Sequence, residues 1–158
     1  MGARGETLAK QFEAKAQEAT AVLEKLNDAD WKKVTAAEKW PVGVTAHHIA
    51  SSHQGIGGIM KALADGKSGP NIPMDALHQM NAKHAQDFAN CTKAETLELH
   101  KKNAAAAAAL LRSIDDGAFD KSGPVFNGAP AMSAAQMAGI LCSHIDEHIG
   151  SIKATTGK

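Results

Sequence analysis

The sequence predicts an all-α protein organised as an up-down four-helix bundle, and three observations lead to that prediction. Alanine, the strongest helix former, supplies 31 of the 158 residues. Aromatic residues make up only 4% of the chain, which leaves few side chains of the kind that favours a sheet. Apolar residues recur at helical spacing in segments that turn residues separate. Because domains usually contain about 100–200 residues, we expect residues 1–158 to form a single domain.

The first helix is predicted from about Glu6 to Asn27, where the apolar residues fall mainly on one stripe. That stripe consists of Leu8, Phe12, Ala19, Val22, Leu23 and Leu26. A polar connector, residues 28–41, follows and contains Trp31 and Trp40. These two side chains either pack over the end of the bundle, which we favour, or form the wall of a pocket.

The second helix is predicted from about Val42 to Asp65, since Pro41 suits a first helical turn. Its buried face consists of Ile49, Ile56, Met60 and Leu63. Glycines at positions 55, 57 and 58 weaken this helix, by roughly 1 kcal/mol each relative to Ala. The glycines and prolines of residues 66–73 then indicate a loop.

The third helical segment is predicted either as one interrupted helix or as two. Residues 74–90 have helical spacing, with Leu77 and His84 on the same side. Thr92 and Glu95 then form a capping box, in which each side chain satisfies a free backbone N–H group. From there the helical pattern continues to about residue 115.

The last helix is predicted from Ser133 to about Ala154, after the irregular residues 116–132. Ser133 and Gln136 form a second capping box at its start. Its core side consists of Met137, Ile140, Leu141 and Ile152. No segment shows the alternation of a strand, so a bundle of helices is the expected architecture.

The charge balance argues against two classes of partner. The chain carries 17 basic and 17 acidic side chains, whereas nucleic-acid-binding domains and polybasic membrane binders carry concentrated positive charge. The longest apolar run, Ala104–Leu111, is much shorter than the roughly 20 residues that span a bilayer. The N-terminal residues do not resemble a signal peptide, so we expect a cytoplasmic protein with Cys91 and Cys142 reduced.

Histidine is unusually frequent, with eight residues in the chain. His144 and His148 lie four positions apart in the predicted last helix, and therefore on one face, which Met137 and Leu141 share. That face points into the predicted bundle. Two imidazoles at this spacing can bind one metal ion.

The second helix offers a third imidazole to the same ion. His47 faces away from the predicted buried face, whereas His48 and His53 flank it on opposite sides. The periodicity does not choose between these two residues. Three protein ligands with an open position are typical of a catalytic metal site rather than of a structural one.

Two segments resemble motifs of the DinB-like superfamily. Residues 40–43, Trp-Pro-Val-Gly, with His48-Ile49 after them, resemble its W-x-V-G-x(4)-H-L segment. Residues 144–152, HIDEHIGSI, resemble its closing H-x-x-x-H-x-G-Q-I helix, with Ser151 in place of the usual Gln. The order and separation of the two motifs match as well, and the resemblance extends over nearly the whole chain.

The resemblance implies a DinB-like bundle that binds a divalent transition metal (Zn, Ni or Fe) through His48, His144 and His148. It thereby selects His48 over His53. The superfamily includes enzymes that use low-molecular-weight thiols, such as mycothiol-dependent maleylpyruvate isomerase and thiol transferases, so a thiol cofactor is a further expectation. The isomerase branch typically has Glu at the position of His144, which argues against that activity. Bundles of this superfamily are often homodimers.

Several residues keep alternative interpretations. Residues 144–148 also match the HxxEH motif of inverted zinc proteases, which would make Glu147 a general base. We instead expect Glu147 to be exposed, with a role beside the histidines as the alternative. His84 is interpreted as a core or site-lining residue, while His78 and His100 are expected at the surface or its boundary.

The expected function is that of a metal-dependent enzyme acting on small molecules, as a thiol S-transferase or a hydrolase. Its metal would lower the pKa of a bound thiol or water and so produce a nucleophile. The alternative is a non-catalytic protein that binds a metal or a small ligand and has a role in the stress response.

Overall fold

The computed structural model describes residues 2–158, and that range contains six α-helices and one pair of short strands. The helices are α1 (Ala3–Glu24), α2 (Asp28–Lys32), α3 (Val42–Ala64), α4 (Met74–Asp87), α5 (Lys93–Ser113) and α6 (Ala134–Thr156). A 3-10 turn spans Asp116–Asp120. The strands, β1 (Ser122–Gly123) and β2 (Met132–Ser133), pair antiparallel.

Helices α1, α3, α5 and α6 form the four-helix bundle that the sequence predicts. Helix α1 packs against α5 and α6, and α3 packs against the same two helices. Helices α1 and α3 therefore lie on one diagonal of the bundle, and α5 and α6 lie on the other. This order places α3 directly beside α6.

The space between these four helices is filled by apolar side chains. Phe12 of α1, Met60 of α3, Leu111 of α5 and Leu141 of α6 are all fully buried there. Each belongs to a stripe with helical spacing, which is why the pattern was readable in the sequence. Burying a side chain of this size contributes roughly 1.5–3 kcal/mol to stability.

The connector between α1 and α3 contains the short helix α2, which the sequence analysis did not predict. The Asn27 side chain accepts the backbone N–H of Asp30, and the Asp30 carboxylate accepts that of Asn27. Helix α2 brings Trp31 against Gly43, where a Cβ atom would lie 2.3 Å from the indole Nε1. The indole N–H donates to the Cys91 carbonyl at 2.9 Å. Trp31 thus connects α2, α3 and the residues before α5.

The third predicted segment is two helices, α4 and α5. None of the residues of α4, Met74–Asp87, is buried. This helix lies outside the bundle and contacts α3. Leu77, Asn81 and His84 are half-buried on one side of it. The predicted apolar side of the segment therefore covers α3 and is not part of the bundle core.

Both predicted capping boxes are present. The Thr92 hydroxyl accepts the N–H of Glu95 and the Glu95 carboxylate accepts that of Thr92, at the start of α5. Ser133 and Gln136 make the same pair of bonds at the start of α6.

Two loops close the side of the molecule next to α4. Gly69, in the loop of residues 66–73, donates its N–H to the Pro124 carbonyl at 2.8 Å. Ile72 of the same loop pairs with Phe126 in an isolated parallel bridge. The strands β1 and β2 lie in the second loop, between α5 and α6, and have only two residues each. Strands this short leave no alternating pattern for a sequence analysis to detect.

Among residues 2–158, no helix combines the length and the apolar character that a membrane-crossing helix requires.

Candidate metal centre

Three histidines converge where α3 lies against α6. His48 belongs to α3, and His144 and His148 lie one turn apart on α6. The Nε2 atoms of His48 and His144 are 3.1 Å apart. One ring nitrogen from each of the three residues lies within 4.8 Å of the other two. Of the two candidates that periodicity left open on the second helix, the structure places His48 in this cluster and His53 elsewhere.

The surroundings hold two of these imidazoles in the neutral form. Burial, together with the neighbouring His144 and His148, lowers the pKa of His48 to about 3. Burial and the neighbouring His148 lower the pKa of His144 to about 4. Neutral imidazole is the form that binds a metal, so lone pairs are available at neutral pH.

A buried carboxylate orients the third imidazole. Glu38, in the connector before α3, has its Oε2 atom 3.0 Å from Nδ1 of His148, and its side chain is only 8% exposed. The Nδ1–H of His148 donates to this carboxylate, so the other ring nitrogen, Nε2, points away from it. Burial by itself would raise the pKa of Glu38, but hydrogen bonds from Ser151, His148 and Thr35 outweigh burial and place the pKa below its ordinary value.

Ser151 is part of the same arrangement. Its hydroxyl donates to Oε1 of Glu38, so the residue that departs from the family pattern holds the orienting carboxylate. Glu38 was not predicted from the sequence. It lies in an irregular connector, where no periodicity assigns a side chain to the interior, and only its position two residues before Trp40 of the first motif could have drawn attention to it.

Trp40 lies beside His48. The two rings meet edge to face, with 5.3 Å between their centroids. This contact places Trp40 against the histidine cluster. A large apolar ring at this place shields one side of His48 from water.

His53 belongs to a separate buried pair. Its Nε2 is 3.0 Å from Nδ1 of His100, whose Nε2–H donates to the Ala16 carbonyl at 3.0 Å. Because that donation fixes the tautomer of His100, its Nδ1 accepts the Nε2–H of His53. The prediction that His100 lies at the surface is wrong: it is 1% exposed. Periodicity could not reveal that α1 and α3 both supply partners for this residue.

His47 is also buried, although it points away from the bundle core. Helix α4 covers it: Nδ1 of His47 is 2.8 Å from Nε2 of His84, and the ring stacks on Phe88 with 3.9 Å between centroids. The Ser51 hydroxyl donates to the His47 carbonyl at 2.7 Å. Burial lowers the pKa of both His47 and His84. His47 therefore points away from the bundle core, as predicted, but it faces α4 and not solvent.

The histidine cluster opens into a cavity of about 450 Å³ between α3, α4 and α6. His48 and His144 form part of its wall. His84 does so too, which agrees with its interpretation as a site-lining residue. The remaining wall is mostly apolar and includes residues of the two paired loops. A small molecule in this cavity would reach the cluster directly.

The reactive or charged side chains of Cys91, Cys142, Asp146 and Glu147 are not part of the cluster. Glu147 is exposed, as we expected, and Asp146 forms an ion pair with Lys15 at 3.0 Å. The Cys91 thiol donates to the Gly43 carbonyl at 3.3 Å. Burial raises the pKa of both cysteines, so neither has the character of a reactive thiolate.

The donor set fits a divalent transition metal. The three nitrogen atoms lie close enough together for one ion to contact them all. Imidazole donors suit Zn, Ni and Fe. The carboxylate–histidine contact through Glu38 is the usual support of a metal-binding imidazole.

Comparisons with known proteins show which folds this chain resembles. The fold is similar to that of YfiT from Bacillus subtilis, described as a probable metal-dependent hydrolase with an unusual four-helix bundle topology. The TM-score is 0.74 at 16% sequence identity, and the match covers 99% of this chain and 89% of YfiT. It is also similar to mycothiol-dependent maleylpyruvate isomerase, with a TM-score of 0.73 at 12% identity over 94% of this chain. A variant of that isomerase gives a TM-score of 0.74 at 11% identity over the same share of this chain.

The chain spans only 60% of the length of the isomerase. A comparison with curated proteins returns no significant match. The model of the DinB superfamily matches residues 11–152, which include all three clustered histidines and Glu38. The chain belongs to the DinB superfamily.

Proposed function

We propose that His48, His144 and His148 bind one divalent transition-metal ion, and that the protein is a metal-dependent enzyme acting on small molecules. The observation that carries this proposal is the convergence of the three imidazoles, two of them held neutral by burial, at the wall of a cavity. A structural metal site would have no need of such an opening.

A bound metal supplies Lewis acidity, which lowers the pKa of a thiol or water at its open position. The residues of this chain would prepare that position. Glu38 accepts the Nδ1–H of His148 and so keeps its Nε2 free for the ion. Trp40 excludes water from one side of His48, which strengthens the electrostatic effect of the ion on its ligand.

The reaction class that we propose is thiol S-transfer or hydrolysis. A metal-activated thiol or a metal-activated water is the nucleophile in these two reactions, and the same site can present either. The names of the structurally similar proteins include a thiol-dependent enzyme and a probable hydrolase. The fold is shared with both, so the choice between them depends on the reaction itself.

The first test is metal stoichiometry. Protein purified without a histidine tag is expected to hold about one ion per chain, measured by elemental analysis. A His48→Ala, His144→Ala double variant is expected to hold less than a tenth of that amount, because one imidazole does not retain an ion against dialysis. The matched control is His78→Ala, which removes an exposed imidazole of α4. Equal metal content in the double variant and the control would contradict the proposal.

The alternative function is a non-catalytic protein that binds a metal or a small ligand. The same cavity and cluster would serve it, so metal content does not separate the two functions. Turnover does: the metal-loaded protein is assayed with a panel of low-molecular-weight thiols and electrophiles, and with ester and amide substrates. Ligand binding without turnover of any pair would favour the alternative. The cytoplasmic location and the homodimer stay predictions from the sequence and its resemblance.

A further inference from the structure

The cavity beside the histidine cluster is elongated along α3. Its wall on that helix extends from His48 to Ile59, a distance of roughly 17 Å at 1.5 Å per residue. Gly69, in the loop of residues 66–73, lies near the Ile59 side chain at the far end. A molecule that fills the cavity would therefore extend from the imidazoles to the paired loops.

The wall of the cavity is mostly apolar. Besides the histidines, its polar side chains are Ser51, Ser52 and Asn81, which are uncharged. The other side chains of the wall are apolar and come from α3, α4, α6 and the two loops, among them Ile56, Met80, Phe126 and Ile140.

Charge is missing from this wall. Within residues 2–158, no Lys, Arg, Asp or Glu side chain lines the cavity. A carboxylate or phosphate placed in the cavity beyond reach of the proposed metal ion would lose its hydration and meet no cationic side chain in return, which is costly. Apolar groups, by contrast, gain by leaving water.

We propose that the site takes an uncharged, largely apolar molecule with a single donor atom for the metal, and that it rejects substrates and thiols bearing a carboxylate. The part of this proposal that concerns the donor atom depends on the metal site proposed above. The apolar preference rests only on the cavity wall, so the two parts can be tested separately.

The main test compares two thiols that differ in one group. Protein loaded with Co(II) is titrated with 1-hexanethiol and with 6-mercaptohexanoate, and the thiolate-to-Co(II) absorption gives each Kd. We expect the uncharged thiol to bind at least about tenfold more tightly, because the carboxylate, held at the far end of the chain from the Co(II)-bound sulfur, meets no cationic side chain. From ethanethiol to hexanethiol, each methylene should tighten binding about fourfold. Equal Kd values for the matched pair would overturn the proposal.

A second experiment tests the apolar cavity in the absence of metal. Binding of 1-hexanol and of hexanoate to metal-free protein is followed by NMR chemical-shift changes of the Ile and Met methyl groups. Preference for hexanol supports the apolar cavity even if the protein fails to bind Co(II), in which case only the proposed function fails. Preference for hexanoate, or equal binding, overturns the inference and leaves the metal site standing.

A charge introduced into the wall should change the preference. Met80 lines the cavity and is 60% exposed, so Met80→Lys is expected to fold. This variant should reduce the ratio of the two thiol Kd values severalfold by offering the carboxylate a cation. The matched control is Met74→Lys, on the same helix, 45% exposed and not part of the wall. If the ratio of the two thiol Kd values were identical in Met80→Lys, Met74→Lys and the unmodified protein, this would count against the cavity as the place where the thiols bind.

Discussion

Glu38 shows how one buried side chain can determine the state of another. Its carboxylate is paired with Nδ1 of His148 and with the Ser151 hydroxyl. A negative charge in this position makes the imidazole more basic and fixes its orientation. The side chain therefore acts on the proposed metal through His148, without contact to the ion.

Replacing Glu38 by Gln tests this role. The amide oxygen still accepts the Nδ1–H of His148, but the charge is lost. We expect metal affinity to fall by about 10–100-fold, measured by competition with a chelator, while the circular dichroism stays unchanged. The control is Glu147→Gln, which removes an exposed carboxylate next to His148 in the sequence. An affinity within twofold of the control would show that Glu38 has no influence on the ion.

The position of a side chain such as that of Glu38 could not be predicted from the sequence. His144 and His148 were readable because the helix itself puts them on one face. Glu38, Trp40 and His100 were not, because their positions depend on which helices become neighbours. A period of 3.6 residues indicates which side of a helix is buried, but not what it is buried against.

Among the elements, α2 approaches the bundle most closely at Gly43 of α3. Gly43 of α3 lies directly under the Trp31 indole, and this contact explains the glycine in the first motif. Helix α3 begins here and continues to the cluster, five residues later at His48. The position of α2 is therefore linked to the first turns of the helix that carries the site.

A Gly43→Ala variant is expected to be less stable. Its Cβ would lie 2.3 Å from Trp31 Nε1, and relieving an overpacked contact costs about 1–3 kcal/mol. Urea unfolding followed by tryptophan fluorescence measures the loss. The matched control is Gly58→Ala on the same helix, where a Cβ would meet nothing within 4 Å. There we expect a gain of about 0.5–1 kcal/mol; the same sign of change in both variants would contradict the packing argument.

The elements themselves were largely predictable. Capping boxes are local, so Thr92 and Ser133 indicated two helix starts correctly. Helix α2 has only five residues, too few for any periodicity. Helix α4 carried an apolar side like the bundle helices, and the sequence could not show that this side covers α3 instead of entering the core.

Across the whole molecule, buried histidines make stability depend on pH. His53 and His100 bridge α3, α5 and α1 through their hydrogen bonds. Burial lowers the pKa of His53 to about 3, whereas in the unfolded chain its pKa is the ordinary 6.5. Below about pH 6.5 the unfolded state therefore binds a proton that the folded state does not. Stability is fully present above that pH and falls as the pH decreases towards 3.

The contribution of His53 can be isolated. In His53→Gln the side-chain N–H still donates to His100, but one titrating group is gone. We expect the free energy of unfolding of the metal-free variant to fall less steeply below pH 6, by about 1.4 kcal/mol per pH unit relative to the unmodified protein. Urea unfolding between pH 4.5 and 7.5 measures the slope, and each protein's own value at pH 7.5 corrects for the substitution itself. Parallel slopes would show that His53 is already protonated in the folded state.

The diagonal order of the bundle has a consequence for folding. His48 and His144 are separated by 96 residues, and Glu38 and His148 by 110. No local segment can assemble this cluster, because α3 and α6 meet only when the chain between them has already closed its loops. An ion that binds only the assembled state slows unfolding and leaves the folding rate unchanged. During synthesis the chain must therefore extend through α6 before the proposed ion can bind.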